Sequence, residues 1–214
     1  MGVAERRERE RQEIREKILD AARELFAEMG YEAVTMRRIA EKIEYSPTAI
    51  YFHFQDKTAL LRALCDEDFG ALARHFQSIA RIADPIERLR NIGAAYVEFG
   101  LAHPNPYRFM FMTPRPPMSP EESALERGNP EQDAYAFLKA TIEEGLAQKR
   151  FRPELGDAEL LSQVVWEAVH GVISLQIAKC NDGWINWKPV RESAALVVEA
   201  LIRGLTGESK PEGA

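Results

Sequence analysis

Apolar residues recur at every third or fourth position along most of this chain. Because no long stretch alternates between apolar and polar residues, the spacing predicts helices and disfavours strands. The expected fold class is therefore all-α, with a first helix that ends at Met29, before Gly30, a residue suited to a left-handed helix end. The other predicted helices cover residues 56–79, 86–102, 107–112, 131–149, 157–180 and 190–205.

Composition agrees with an ordinary globular protein and disfavours several other classes. The formal charge of −6, from 28 basic and 34 acidic residues, argues against nucleic-acid binding through electrostatics alone. Cys65 and Cys180 form no CxxC pair, so neither a zinc site nor a disulfide framework is expected. No apolar run approaches the roughly 20 residues that span a bilayer, and the arginine-rich N-terminus does not read as a signal peptide. We therefore expect a cytoplasmic protein without membrane contact.

Two short helices downstream of the first form the most specific pattern in the sequence. Thr35 is suited to cap the first of them, and Ser46 followed by Pro47 is suited to begin the second. A three-residue turn separates them, Ala40 is small where they must cross, and Ile50 points back toward it. The pattern predicts a helix-turn-helix, in which the second helix enters the major groove of DNA.

The same stretch, which ends Ile50-Tyr51-Phe52-His53-Phe54-Gln55-Asp56-Lys57, resembles the signature of the tetracycline-repressor family. The resemblance covers about residues 12–65 at the level of motifs. It implies an N-terminal three-helix DNA-binding domain and a C-terminal helical domain that binds an effector and forms a dimer. The residues that it implies at the DNA are Thr35, Arg37, Arg38, Ser46, Thr48, Tyr51, His53 and Lys57.

The resemblance implies a DNA-binding domain over residues 1–57 and an effector and dimerisation domain over residues 58–214. Residues 5–13 are charged and lack an apolar stripe, so they form either a solvated extension of the first helix or a flexible arm. One departure from the family pattern is Glu44, in a turn where the family often has glycine. We expect it to tolerate a left-handed backbone poorly and to lower DNA affinity slightly.

Near the C-terminus, residues 166–171 resemble the Trp-x-x-x-His-Gly signature of one subgroup of the family. Trp166 and His170 are one turn apart and share a helix face. In the family, the last two helices pair with their symmetry mates, and the small residues Gly171 and Gly204 suit a close approach of helices. We expect a homodimer whose recognition helices reach two half-sites of a pseudo-palindromic operator, about 34 Å apart.

Aromatic residues are dense in the middle of the chain and either line an effector cavity or fill a core. The expected effector is a small, largely apolar or aromatic molecule whose binding releases a repressor from its operator. The residues expected to contact it are Tyr96, Phe99, His103, Phe109, Trp166 and His170.

Two other functions stay open on the sequence. The first is a helical bundle that binds metal or catalyses a reaction and carries an incidental helix-turn-helix, since Glu167-x-x-His170 has the spacing of di-iron carboxylate sites. The second such motif that a di-iron site needs is missing, so we expect no metal. No Gly-rich phosphate loop, nucleophile elbow or Ser/His/Asp arrangement stands out, so we also expect no cofactor and no catalysis. Elemental analysis separates a metal-binding bundle from a DNA-binding regulator. The second alternative is a ligand-binding protein whose target is another protein.

Overall fold

A computed structural model describes residues 2–117 and 119–207. Within them the chain is all helical, as the sequence predicts, and no strand occurs. The helices are α1 (Val3–Met29), α2 (Met36–Lys42), α3 (Pro47–His53), α4 (Lys57–Gln77), α5 (Pro85–Ala102), α6 (Pro104–Tyr107), α7 (Ala134–Ala147), α8 (Ala158–Lys179) and α9 (Val190–Thr206).

The helices form two compact units. The first extends to Asp68 and includes the separate segment Asn105–Ala124; the second comprises Phe69–Pro104 and the chain from Leu125 onward. These units do not coincide with the expected domains 1–57 and 58–214, because part of α4 and a segment from mid-chain pack with the N-terminal helices. The assignment of DNA binding and effector binding to the two domains stays a prediction, and residues 208–214 lie outside the described residues.

The core of the first unit combines α1 with the mid-chain segment. Ile18, Ala22 and Phe26 of α1 are all fully buried. The ring of Phe109 stacks on that of Phe26, with ring centres 5.8 Å apart. The far end of the segment is tied to α4, because the carboxylate of Asp66 accepts hydrogen bonds from Ser123 Oγ at 2.6 Å and from the backbone N–H of Ala124 at 3.1 Å.

A buried ion pair joins α1 to α4 inside the first unit. Arg23 is 9% exposed and Asp68 is 5% exposed at the side chain. The guanidinium donates through Nε to both carboxylate oxygens of Asp68, at 3.1 and 3.0 Å, and through a terminal nitrogen at 2.8 Å. It also pairs with Asp20 at 2.5 Å and with Glu67 at 3.5 Å. Burial, the largest cause, raises the pKa of the Glu67 carboxyl.

In the second unit, α5 packs against α7, α8 and α9, and α8 packs against α9. Helices α5 and α9 approach each other closely at Gly93, where an added Cβ would lie 2.6 Å from a methyl carbon of Val198. Among the described residues, α8 is the one helix long and apolar enough to cross a membrane by length and composition alone. It is not a continuous apolar run, since it contains Glu159, Glu167 and Lys179. Helix α8 buries Leu161 and Val165 on its packed side.

The structure also settles or shifts several predicted boundaries. Because α1 begins at Val3, the charged residues 5–13 are the solvated helical extension and not a flexible arm. The predicted helix 107–112 consists of the end of α6 and a π-helix at Arg108–Met112. The helix predicted to start near residue 131 starts at Ala134, since Asp133 caps it by accepting hydrogen bonds from two backbone N–H groups.

Candidate DNA-binding surface and effector region

The helix-turn-helix forms through the caps that the sequence predicts. Thr35 Oγ1 accepts a hydrogen bond from the N–H of Arg38 at 3.2 Å, and Ser46 Oγ accepts one from Ala49 at 3.3 Å. Pro47 occupies the first position of α3. Ala40 and Ile50 are both fully buried where α2 packs against α3. This packing fixes the angle between the two helices and leaves the opposite side of α3 exposed.

The turn between α2 and α3 contains a strained residue. Glu44 has a φ of 60°, which is the left-handed region that a side chain with a Cβ disfavours. Its neighbour fixes this geometry, because the N–H of Tyr45 donates to the carbonyl of Ala40 at 2.9 Å and closes the turn. The conformation therefore requires a left-handed residue at position 44 whichever side chain stands there.

Glu44→Gly is expected to raise the free energy of unfolding by about 1 kcal/mol, since glycine adopts this backbone without a steric penalty. Glu44→Ala is the matched control, because it removes the same charge but keeps the Cβ. Urea unfolding of the three proteins measures the difference. Equal stability of the glycine and alanine variants would show that strain at this turn contributes nothing.

The exposed side of the helix-turn-helix carries most of the residues predicted at the DNA. Thr48 and Tyr51 are exposed on α3, where Tyr51 is 54% exposed and the neighbouring Phe52 is 76% exposed. Arg37 and Arg38 are exposed on α2. Arg37 pairs with Glu41 at 2.9 Å, an exposed ion pair that stabilises little and that a phosphate can replace at low cost. Thr35 and Ser46 are exposed at their helix N-termini.

His53, at the end of α3, is half-buried. Burial, followed by the positive charges of Arg11 and Arg15, lowers the pKa of its imidazole. The ring meets that of Phe52 edge to face at 5.5 Å between centres. The lowered pKa favours the neutral form of the His53 imidazole, which meets a phosphate as a hydrogen-bond donor and not as a charge.

Lys57 has partners that sequence reasoning missed. Its ammonium donates to the backbone carbonyls of Tyr31 at 3.0 Å and Val34 at 3.1 Å, and it lies 4.1 Å from the centre of the Tyr31 ring. Lys57 thus joins the start of α4 to the turn that follows α1. Phosphate binding by Lys57 stays a prediction. The two carbonyls accept two of the three ammonium protons, so one proton remains to donate to a phosphate.

In the second unit, three of the predicted effector residues meet. The indole N–H of Trp166 donates to the Tyr96 hydroxyl at 3.0 Å, and that hydroxyl lies 3.2 Å from Nδ1 of His170. Burial lowers the pKa of His170. Tyr135, which is not among the six residues expected to contact the effector, meets Trp166 edge to face and donates to Glu159 at 2.6 Å. The result is a small polar network surrounded by rings.

The other predicted effector residues are placed differently. Phe99 is buried, and its ring lies 5.0 Å from that of the exposed His103 and 6.3 Å from that of His75. Phe109 is fully buried in the first unit, where it packs on Phe26. Phe109 is thus part of the core of the first unit, and effector binding by the six residues stays a prediction.

A groove of about 590 Å³ lies between α5 and α9. Ala94, Val97 and Leu196 form its apolar walls, and ion pairs of Arg90 with Glu199 and of Glu98 with Arg191 cross it. None of the six predicted effector residues lines it. Within the part of the chain that the structure describes, no group of three or more His, Cys, Asp or Glu side chains is arranged to hold a metal ion.

A capped helix-turn-helix followed by an all-helical unit defines the class of helical DNA-binding regulators. Comparison with known proteins specifies the family. Residues 18–64 match the family model of bacterial regulatory proteins of the tetR family, and residues 89–201 match that of the tetracyclin repressor-like C-terminal domain. The chain belongs to the tetracycline-repressor family. The resemblance to the Trp-x-x-x-His-Gly subgroup stays a prediction.

Similar proteins of known sequence match over a short stretch. The HTH-type transcriptional repressor Rv1474c of Mycobacterium tuberculosis is 49% identical over 59 residues, which is 28% of this chain and 32% of the relative. The HTH-type transcriptional regulator UidR of Escherichia coli is 37% identical over 78 residues, 36% of this chain and 37% of the relative. The chain thus spans about a third of the length of the curated relatives that it matches.

Solved structures match over most of both chains. The TetR family regulator PfmR from Thermus thermophilus has a TM-score of 0.69 at 25% identity, over 88% of this chain and 98% of that one. The regulator FadR from Bacillus subtilis, in complex with stearoyl-CoA, has a TM-score of 0.70 at 19% identity, also over 88% and 98%. At this identity the second likeness shows the shared fold alone.

Proposed function

We propose that this chain is a transcriptional repressor that recognises operator DNA with α3. The observation that carries the proposal is the division of α3 into two sides. Ile50 is fully buried, whereas Tyr51 and Phe52 are 54% and 76% exposed. Large exposed aromatic side chains on a short helix cost solvation energy unless a partner covers them, and a DNA groove provides both apolar and hydrogen-bonding contacts.

The proposed contacts fall into two groups. Thr48 and Tyr51 lie on the exposed side of α3 and reach base edges or the nearest phosphates, with Arg37 and Arg38 beside them on α2. The helix N-termini at Thr35 and Ser46 present backbone N–H groups to phosphates, and His53 and Lys57 add single hydrogen bonds. The first group determines which DNA sequence the protein prefers, and the second group positions the protein on the duplex.

Tyr51→Ala is expected to weaken operator binding about 10-fold at fixed salt, because a hydrogen bond and the packing of the ring at the DNA are lost together. The operator is the duplex that the wild-type protein selects from a random pool, and fluorescence anisotropy measures the affinity. Tyr51→Phe keeps the ring and should lose only the part due to the hydroxyl. Met112→Ala removes an exposed apolar side chain of the same unit outside the helix-turn-helix.

Unchanged affinity of Tyr51→Ala, with Met112→Ala also unchanged, would show that α3 is not the DNA surface. A protein that selects no duplex at all from the pool would instead favour a protein target. Among the described residues, the metal-binding or enzymatic alternative has only the spacing of Glu167 and His170 in its favour, and we propose that the chain is not an enzyme. A regulator of DNA acts where the DNA is, so we place it in the cytoplasm.

We propose that the chain acts as a homodimer joined through α8 and α9. The outer sides of these helices expose apolar residues, with Leu175 52% and Leu196 71% exposed. An added Cβ would meet nothing within 4 Å at Gly171 or at Gly204, so a second helix can approach closely there. A two-fold dimer presents two copies of α3, which matches a pseudo-palindromic operator.

We propose that a small apolar or aromatic effector binds the second unit at the Tyr96, Trp166 and His170 network. Trp166 and His170 are half-buried, so a ligand from solvent can reach them. The rings supply apolar contact and the network supplies hydrogen bonds, a combination typical of ligand pockets. Similarity in fold to FadR with stearoyl-CoA supports screening acyl-CoA thioesters for release of the operator. If a compound releases the protein from its operator, Trp166→Phe should weaken that release. Unaltered release in this variant would show that the effector binds at another site.

A further inference from the structure

Helix α1 extends beyond the part of the chain that the family model matches. It begins at Val3, whereas the match begins at residue 18. The additional residues 3–17 carry six basic and five acidic side chains. Most are exposed, and together they form about four turns of helix that the core of the first unit does not require.

Three arginines of this extension lie on one face. Arg7, Arg11 and Arg15 are four residues apart, so each is turned by only about 40° from the one before. Residues seven positions apart lie on nearly the same face of a helix, because seven residues are close to two full turns. Each of these arginines is seven positions before a residue on the inward face of α1. Arg11 precedes the fully buried Ile18 in this way, and Arg15 precedes the fully buried Ala22. We call Arg7, Arg11 and Arg15 the arginine stripe.

The arginine stripe starts beside the C-terminal end of α3. The guanidinium carbon of Arg15 lies 5.3 Å from the centre of the Phe54 ring, and Phe54 is the C-cap residue directly after α3. The charges of Arg11 and Arg15 act on His53, the last residue of α3. Arg7 is eight residues before Arg15, so it stands about 12 Å farther along the axis.

The acidic residues of the extension do not cancel the stripe. Glu5, Glu13 and Glu16 are turned by more than about 100° from its centre, on the opposite side of the helix. Glu8 is closer, but its contact with Arg11 is long, at 3.7 Å, with both side chains more than 60% exposed. Exposed pairs of this kind stabilise little, so Arg11 can exchange Glu8 for a stronger anion.

We propose that Arg7 and Arg11 bind backbone phosphates of duplex DNA that flanks the bases reached by α3. The inference rests on the proposed function, because the stripe adjoins α3 and the ligand class follows from that position. Arginine suits phosphate oxygens by its planar, forked donors. The extension carries Arg7 and Arg11 beyond the contact between Arg15 and the end of α3, so they would meet phosphates beside the half-site, and such contacts add affinity without adding sequence choice.

The test compares two double variants with the same change in charge. Arg7→Ala with Arg11→Ala removes two of the three arginines of the stripe, and Arg6→Ala with Arg9→Ala removes two arginines on other sides of the same helix. Operator affinity is measured by fluorescence anisotropy across a salt series. The stripe variant should bind about 10-fold more weakly at 150 mM salt and reduce the slope of log K against log salt by about 1 to 2, because up to two phosphate contacts are lost. The control should match the wild type.

Two further measurements make the test specific. The same loss should appear on a scrambled duplex of equal length, and it should vanish on an operator trimmed to the bases that α3 reaches. Circular dichroism of both variants should be unchanged, since the altered side chains are exposed. A wild-type salt slope in the stripe variant, or an equal loss in the control, would overturn the inference. If Tyr51→Ala also binds as the wild type does, the proposed function fails as well.

Discussion

Replacing Arg23 with methionine is expected to lower the free energy of unfolding by about 3 to 5 kcal/mol. The substitution keeps most of the volume of the side chain but leaves the carboxylate of Asp68, which is 5% exposed, without its charged partner. A buried charge that has lost its partner costs far more than the pair contributes. Chemical unfolding followed by circular dichroism measures the loss.

Two controls separate this effect from a general loss of packing. Arg62→Met breaks the more exposed pair with Glu122, and it should cost no more than about 1 kcal/mol. Arg23→Met combined with Asp68→Leu removes both charges and should recover most of the stability. A single Arg23→Met variant as stable as the Arg62→Met variant would show that solvent or other groups satisfy Asp68 in the first unit.

Leu175→Glu combined with Leu196→Glu is expected to convert the proposed dimer into a monomer and to weaken operator binding by about 10² to 10⁴-fold. Both side chains are apolar and exposed on the helices proposed to pair, so two acidic groups would be buried in the interface. In a dimer, binding of one copy of α3 to its half-site raises the effective concentration of the second copy at the other half-site. A monomer loses this gain in affinity, which is about 10² to 10⁴-fold. Analytical ultracentrifugation and anisotropy measure the two effects.

The matched control is Met112→Glu with Gly156→Glu, which adds two acidic groups at exposed positions outside α8 and α9. It should stay dimeric and bind the operator as the wild type does. A Leu175→Glu and Leu196→Glu variant that remains dimeric would place the interface elsewhere. A monomer with full affinity would show that one copy of α3 is sufficient.

The helix-turn-helix could be predicted from the sequence because local rules determine it. Thr35, Ser46 and Pro47 act within one helical turn, and the caps observed are those expected. Glu44 was recognised as the difficult residue of the turn, and its positive φ agrees. Interactions of this range need no knowledge of the rest of the chain, so the sequence alone was enough.

Contacts between distant residues could not be predicted in this way. The pair of Arg23 and Asp68 joins residues 45 positions apart, and Lys57 reaches a carbonyl 26 positions away. No periodicity or motif marks such partners, because they depend on how helices pack. The shared face of Trp166 and His170 follows from their spacing on one helix. Tyr96 bonds to both side chains but lies 70 and 74 residues away in the sequence, so the sequence predicts only that it is another aromatic residue near the effector.

The position of Phe109 determines which fragments of this chain can keep a complete core. The segment Asn105–Ala124 is distant in sequence from the helix-turn-helix, yet it supplies a ring to the core around Phe26 and an anchor on Asp66. A fragment that stops after α4 would lack part of its own interior. The N-terminal helices therefore do not form a complete unit by themselves, and a chimera that grafts them onto another protein must carry residues 105–124 along with them.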